Sequence, residues 1–217
     1  MGRPAHSSVK RPASQEPGLR SPGIDTRMKS AKSVRKSPQS RSRKLTPSFF
    51  QRPATVVARA LLGKILVRRL NGKLLRARLV ETEAYLGPDD LASHASKGRT
   101  RRTEVLFGLP GRAYVYLIYG VYEMLNVVAG DEGQGQAVLF RAAVPLGDWD
   151  ADLSGPGRLT RALQITRRQN GLELTGTELY LLDNPGYRPS VQTSKRIGID
   201  YARHWKDAPL RFVDANQ

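Results

Sequence analysis

The stretch 64-KILVRRLNGKLLRARLVETEAYLG-87 decides the architecture. Two alternating runs flank Asn71-Gly72, the dipeptide best suited to the positive φ angles of a tight type I′ turn, so the segment is predicted to form an antiparallel hairpin. In its second run, regular alternation puts Leu75, Ala77, Leu79, Glu81, Glu83 and Tyr85 on one face. A face that begins apolar would then end in two carboxylates and a phenol.

Similar signals continue outward. Residues 46-TPSFFQRPATVVARALLG-63 predict a short helix, with Pro53 in its first turn, Val56, Val57, Ala60 and Leu61 on one face, and Gly63 as its stop. Residues 111-GRAYVYLIYGVYEMLNVVAG-130 and 136-QAVLFRAAVP-145 read as strands around the loop 130-GDEGQG-135, and 178-ELYLLD-183 and 210-LRFV-213 as late strands. Between them, 154-SGPGRLTRALQI-165 reads as a Gly-Pro-Gly loop opening a helix. With no internal repeat, and with strands joined by short turns, the pattern argues for one α+β domain built mainly on antiparallel sheet.

Of the 217 residues, 36 are Lys or Arg and 19 are Asp or Glu, giving a net charge of +17, and a polyanion is the natural partner. Residues 1–46 hold 12 basic and 2 acidic side chains and the remainder 24 and 17, so both parts are basic. The first 46 residues are Ser, Pro, Arg and Lys with few aliphatics, and cannot bury enough apolar surface to offset ordering entropy. They are expected to be a disordered tail ahead of a domain over 47–217. The tail fits a non-specific DNA-binding arm, a segment without a role, or sequence preceding an alternative start at Met28.

Zero cysteines exclude disulfides and thiolate metal sites, and His6, His94 and His204 lack ligand spacing, so neither a metal nor a cofactor is expected. No apolar run approaches the roughly 20 residues that span a bilayer, and no membrane association is expected. The expected location is the interior of the cell.

The block 81-ETEAYLGPDDLASH-94 carries the first candidate chemistry. A carboxylate at the rim of a core gains proton affinity from desolvation, which suits Glu83 to general-base work; Glu81 and Glu83 equally fit solvated groups or arginine partners. Clustered with Asp89, Asp90 and His94 they also admit a metal-dependent nuclease, although no second acidic cluster completes such a site. Within 114-YVYLIYGVY-122, Tyr114 and Tyr122 read as packing residues. Tyr116 and Tyr119, in a basic protein and on opposite strand faces, fit stacking on an extruded base or wedging into a base stack.

These residues, with 59-RALLGKILVRR-69, 79-LVETEAYLGPDDLASHASKGRTRRTEVLFGLPGRAYVYLIYGVYEMLNVV-128, 138-VLFRAAVP-145, 154-SGPGRLTRAL-163, 196-RIGI-199 and 209-PLRF-212, resemble the alkyladenine-type 3-methyladenine DNA glycosylases, monofunctional purine-excising enzymes. The likeness covers most of residues 47–213. It implies a curved antiparallel sheet with a protruding hairpin and several surrounding helices. It also implies hydrolytic removal of 3-methyladenine, 7-methylguanine or hypoxanthine from duplex DNA by a monomer, without a cofactor. By the same resemblance Glu83 would activate the attacking water, Arg141 would hold the phosphate or water next to it, and Tyr85, His94 and Tyr116 would stack around the flipped base. Asn126 would exclude the 2-amino group of guanine, Tyr119 would fill the gap left in the duplex, and Leu139 would line the nucleic-acid side. Arg196 and the loop residues Ser154, Gly155 and Gly157 are further expected DNA contacts, the glycines through backbone N–H groups.

The chain departs from many relatives at 146-LGDWDADL-153, where they carry a longer insertion. A non-catalytic basic nucleic-acid-binding protein on the same scaffold is the principal alternative.

Overall fold

The computed structural model describes Gly2 and residues 42–217; the tail expected over 1–46 lies outside them except for Gly2 and 42–46. Residues just before 47 already join the fold. Leu45 is buried, its N–H donates to Leu181 O (2.9 Å), and Asp183 N–H donates to Arg43 O (2.7 Å).

The Asn71-Gly72 hairpin forms as its sequence requires. Both turn residues have positive φ (48° and 77°), joining β1 (Ile65–Leu70) to β2 (Lys73–Tyr85) with Leu70 opposite Lys73. A second hairpin joins β3 (Ala113–Ile118) to β4 (Tyr122–Ala129), followed by the long β5 (Gln136–Leu146). The late strands β6 (Leu179–Leu182) and β8 (Arg211–Asp214) match the sequence reading, whereas the short, polar β7 (Val191–Ser194) gives no apolar signal and was not foreseen. One curled antiparallel sheet results, in the order β3-β4-β5-β2-β1-β6, with β8 pairing both β2 and β7.

Few helices accompany it: α1 (Pro47–Phe50), α2 (Ala54–Leu61), α3 (Pro156–Ala162) and short 3-10 segments. The inward face of α2 is Ala54, Val57, Ala58 and Leu61, rotated from the predicted one: Val56 is 44% exposed. Pro53 is the N-cap, one residue ahead of the expected first turn. Gly63 stops the helix at φ 79°, and a Cβ there would sit 2.7 Å from the Tyr187 ring, so only glycine fits.

The even alternation expected in β2 breaks at its centre. Ala77 and Leu79 face the main core, and so do Ala84 and, across on β5, Val138, Phe140 and Ala143. The core-facing parity therefore switches between Leu79 and Thr82 and again between Ala143 and Phe140, where the β2–β5 register is irregular. Beyond that point Glu81, Glu83 and Tyr85 lie on the opposite face from Leu75, Ala77 and Leu79, which corrects the single-face expectation. The same kink lets one edge of β2 change partner, from β1 up to Arg78 to β8 at Glu81–Glu83. A smaller cluster (Ala95, Leu106, Phe107, Tyr114, Val128, Ala137) packs on the face that Glu83 and Tyr85 share.

Candidate active site

After the kink, Glu83 has no exposed surface. A buried carboxylate needs partners, and it has three. Its Oε2 accepts from the Tyr85 phenol (2.9 Å), its Oε1 accepts from Ile197 N–H (2.9 Å), and Arg141 Nη1 stands 3.4 Å from Oε1. Burial raises the Glu83 pKa above its ordinary 4.5, against the lowering pull of Arg141 and of both hydrogen bonds. Arg141 is anchored separately, its Nε donating to Glu81 Oε1 at 2.8 Å.

In front of this carboxylate is a cavity of about 120 Å³ walled by Tyr85, His94, Tyr114, Tyr116, Asn126, Leu139 and Arg141 among others, including the exposed Ile197 and Tyr201. Each position follows from sheet register: Tyr114 opposes Asn126, Tyr116 opposes Met124, Asn126 opposes Leu139, and Leu139 opposes Glu83. His94 packs edge-on against Tyr116, 4.4 Å between centroids, and Tyr114 is tilted 36° to Tyr116 at 5.3 Å. His94 Nδ1 shares a 2.9 Å hydrogen bond with the Tyr114 hydroxyl. Burial, reinforced by Arg102, holds the His94 pKa down to about 4, so the ring is neutral near pH 7. Burial likewise drives the Tyr85 and Tyr116 phenols above their ordinary range, keeping them protonated donors. Asn126 is buried, its Nδ2 donating to Tyr114 O at 3.2 Å.

The loops bearing His94 and Ile197 are fastened together by one ion pair. Asp90 is fully buried, accepts from Leu86 N–H and Ala92 N–H (3.1 Å each), and takes both Nη groups of Arg196 at 2.5 and 2.8 Å. Arg196 also donates to Ala84 O (2.9 Å) and lies over the Tyr85 ring at 4.7 Å.

Several expected contacts are placed otherwise. Arg196 is 3% exposed and its guanidinium is spent on Asp90, so it offers no cation to a DNA phosphate. Leu139 is buried in the cavity wall rather than on an outer nucleic-acid surface. In the 154–157 loop, the Ser154 N–H and hydroxyl both donate to Asp152 (2.9 and 2.6 Å), Gly155 is the N-cap of the seven-residue α3, and Gly157 packs so closely on Tyr122 that a Cβ would lie 2.7 Å from the ring. Tyr122 itself is 45% exposed rather than core, whereas Tyr114, read as packing, is buried in the smaller apolar cluster and also walls the cavity.

Tyr119 is not a strand residue on the face opposite Tyr116. It occupies the β3–β4 turn at φ 54°, beside Gly120 at φ 70°, and is 82% exposed. Among the described residues no three of His, Asp or Glu are gathered as a metal-holding group, so Glu81, Glu83, Asp89, Asp90 and His94 do not converge. The sequence reading missed Tyr201 and the Ile197 N–H: an exposed loop tyrosine and a backbone donor carry no local pattern.

Comparison with known proteins matches this chain to one family. Residues 48–217 match methylpurine-DNA glycosylase. A protein of Anaeromyxobacter dehalogenans (strain 2CP-C), provisionally named 3-methyladenine DNA glycosylase, is 51% identical over 171 residues, covering 78% of this chain and 83% of that one. Proteins with the same name are 46% identical in Legionella pneumophila (strain Lens; 78% and 93% covered) and 45% identical in Methanocella arvoryzae (79% and 92% covered). Matches of this extent, falling on the region that carries the buried carboxylate and its cavity, leave one assignment: the chain belongs to the methylpurine-DNA glycosylase family and is a DNA glycosylase.

Proposed function

We propose that this glycosylase takes a damaged purine, of the 3-methyladenine, 7-methylguanine or hypoxanthine type, out of the duplex into the aromatic cavity and hydrolyses its N-glycosidic bond, leaving an abasic site. The observation that carries the reading is a carboxylate with no exposed surface and a raised pKa, directly behind a base-sized aromatic cavity. A carboxylate has about four acceptor sites; Tyr85 and the Ile197 N–H take one on each oxygen of Glu83, and Arg141 stands beside Oε1 as an ion pair at 3.4 Å. The site left on Oε2 receives the attacking water as general base. The anion also stabilises the oxocarbenium-like transition state as the bond to the base breaks.

Extrusion costs a few kcal/mol of stacking, least for damaged or mispaired bases, and Tyr119 fills the vacated space. Tyr85, His94 and Tyr116 stack on the purine, and neutral His94 does not repel a cationic alkylpurine. Asn126 crowds the position of a guanine 2-amino group. Among the described residues no lysine lines the cavity, in keeping with a water nucleophile and a monofunctional reaction.

The test is single-turnover base release from duplexes bearing hypoxanthine or 3-methyladenine. Glu83→Gln is expected to lower the rate by about 10²–10⁴ while lesion binding persists, and excess chelator is expected to leave the wild-type rate unchanged. Tight, salt-sensitive binding with no abasic product would instead indicate a binding protein.

A further inference from the structure

We propose that Glu81 is a positioning residue for Arg141: it grips the guanidinium by its Nε edge and keeps that side chain from closing over Glu83. The inference rests on the reading of Glu83 as the base. Glu81 Oε1 accepts from Arg141 Nε (2.8 Å) and from Arg211 Nε (2.6 Å), and Arg211 is held on its far side by Ser194 Oγ (3.2 Å). The side chains of Glu81 and Arg141 are each only 14% exposed, so water competes weakly for these bonds. The parity switch in β2 and β5 puts Glu81, Glu83 and Arg141 on one face, and β8 places Arg211 opposite Glu83.

Two guanidinium groups therefore flank two carboxylates, and the division of bonds matters. An arginine meets a carboxylate most strongly as a two-bond fork. Arg141 does not make that fork with Glu83: it gives its Nε bond to Glu81 and approaches Glu83 only as an ion pair at 3.4 Å. Without Glu81, Arg141 faces one uncapped anion and its fork closes on Glu83. It would then occupy the acceptor site that the water needs and make the carboxylate a weaker base. The groups facing Glu83 are Glu81 and Tyr85 from β2, Arg141 from β5, Arg211 from β8, Tyr116 from β3, and the Ile197 N–H with Arg196 beyond Tyr85. Among them, Glu81 alone opposes the pull of the arginines on the charge of Glu83 from within bonding distance of Arg141.

The experiment is the pH profile of single-turnover hypoxanthine release by the full chain at saturating enzyme. Glu81→Gln is expected to lower the plateau by about tenfold or more and to shift the acid limb to lower pH, while lesion-duplex Kd stays within about threefold. Added to Arg141→Gln, the same substitution is expected to change the rate by less than about twofold, because Glu81 acts through Arg141. A wild-type plateau and acid limb in Glu81→Gln would overturn the proposal. So would an equal fold-loss in both backgrounds, which would make Glu81 a fastener of the sheet through Arg211. If Glu81→Gln does not fold, Glu81→Asp keeps the charge with a shorter reach and is expected to shift the acid limb the same way; an unmoved limb there overturns the idea equally. Excision surviving in Glu83→Gln would instead sink the reading of Glu83 on which the proposal depends.

Discussion

Burial pushes the two titratable groups at the centre of this site in opposite directions, because desolvation always disfavours the charged form. Glu83 is raised above 4.5 and His94 lowered from 6.5 to about 4. On the proposed reading base catalysis needs ionised Glu83, so the rate rises with pH through its pKa, and the acid limb of single-turnover release should lie above pH 4.5. For His94 the sign concerns stability. In the window from 6.5 down to about 4 the unfolded chain binds a proton that the folded ring does not, so unfolding free energy falls as pH drops through it. Denaturant titrations at several pH values should show that slope flattened in His94→Gln, and NMR should find the wild-type ring neutral at pH 6. A ring titrating near 6.5 would contradict the desolvated cavity wall.

At the scale of an element, the β3–β4 hairpin holds a costly conformation at its tip. A non-glycine residue in the left-handed region costs roughly 1–2 kcal/mol, yet Tyr119 sits there at φ 54° and buries almost none of its ring. Strain without a packing return is a mark of function. We expect Tyr119→Gly to leave the thermal midpoint at or above wild type while lesion excision falls by about tenfold or more, unstacking being worth a few kcal/mol. A clear loss of midpoint would place Tyr119 in the packing of the fold. The kink in β2 is the other decisive element, since it turns Glu83 away from the main core and towards the cavity.

For the whole molecule, the Asp90–Arg196 pair joins segments 106 positions apart and sets the loops that deliver His94 and the Ile197 N–H. Both partners are fully buried at their side chains, and removing one leaves an uncompensated charge. Asp90→Ala should therefore destabilise the protein by roughly 3–5 kcal/mol in denaturant unfolding, with excision lost in proportion to the misplaced loops. The net charge of +17 acts differently. Raising salt should weaken lesion-duplex binding steeply and leave the single-turnover rate at saturating enzyme nearly constant, because counterion release belongs to association rather than to the chemical step.

The sequence by itself determined the strands other than the short polar β7, the Asn71-Gly72 turn and most of the residues gathered at the site, because periodicity, turn chemistry and motif identity are local. Glu83, Tyr85, His94 and Tyr116 were all visible in it. The tertiary structure alone decided where those side chains point and what they touch. Even alternation put Glu83 on the face of Leu79, and only pairing with β5 and β8 shows the switch that separates them. Arg196 read as a cation for DNA until burial against Asp90 removed it from the surface. Glu81 read as one of two rim acids until Arg141, 60 positions away, and Arg211, 130 away, closed on it. The physical reason is the same in each case: a charged side chain's role is set by desolvation and by the partner that satisfies it, and both come from distant parts of the chain.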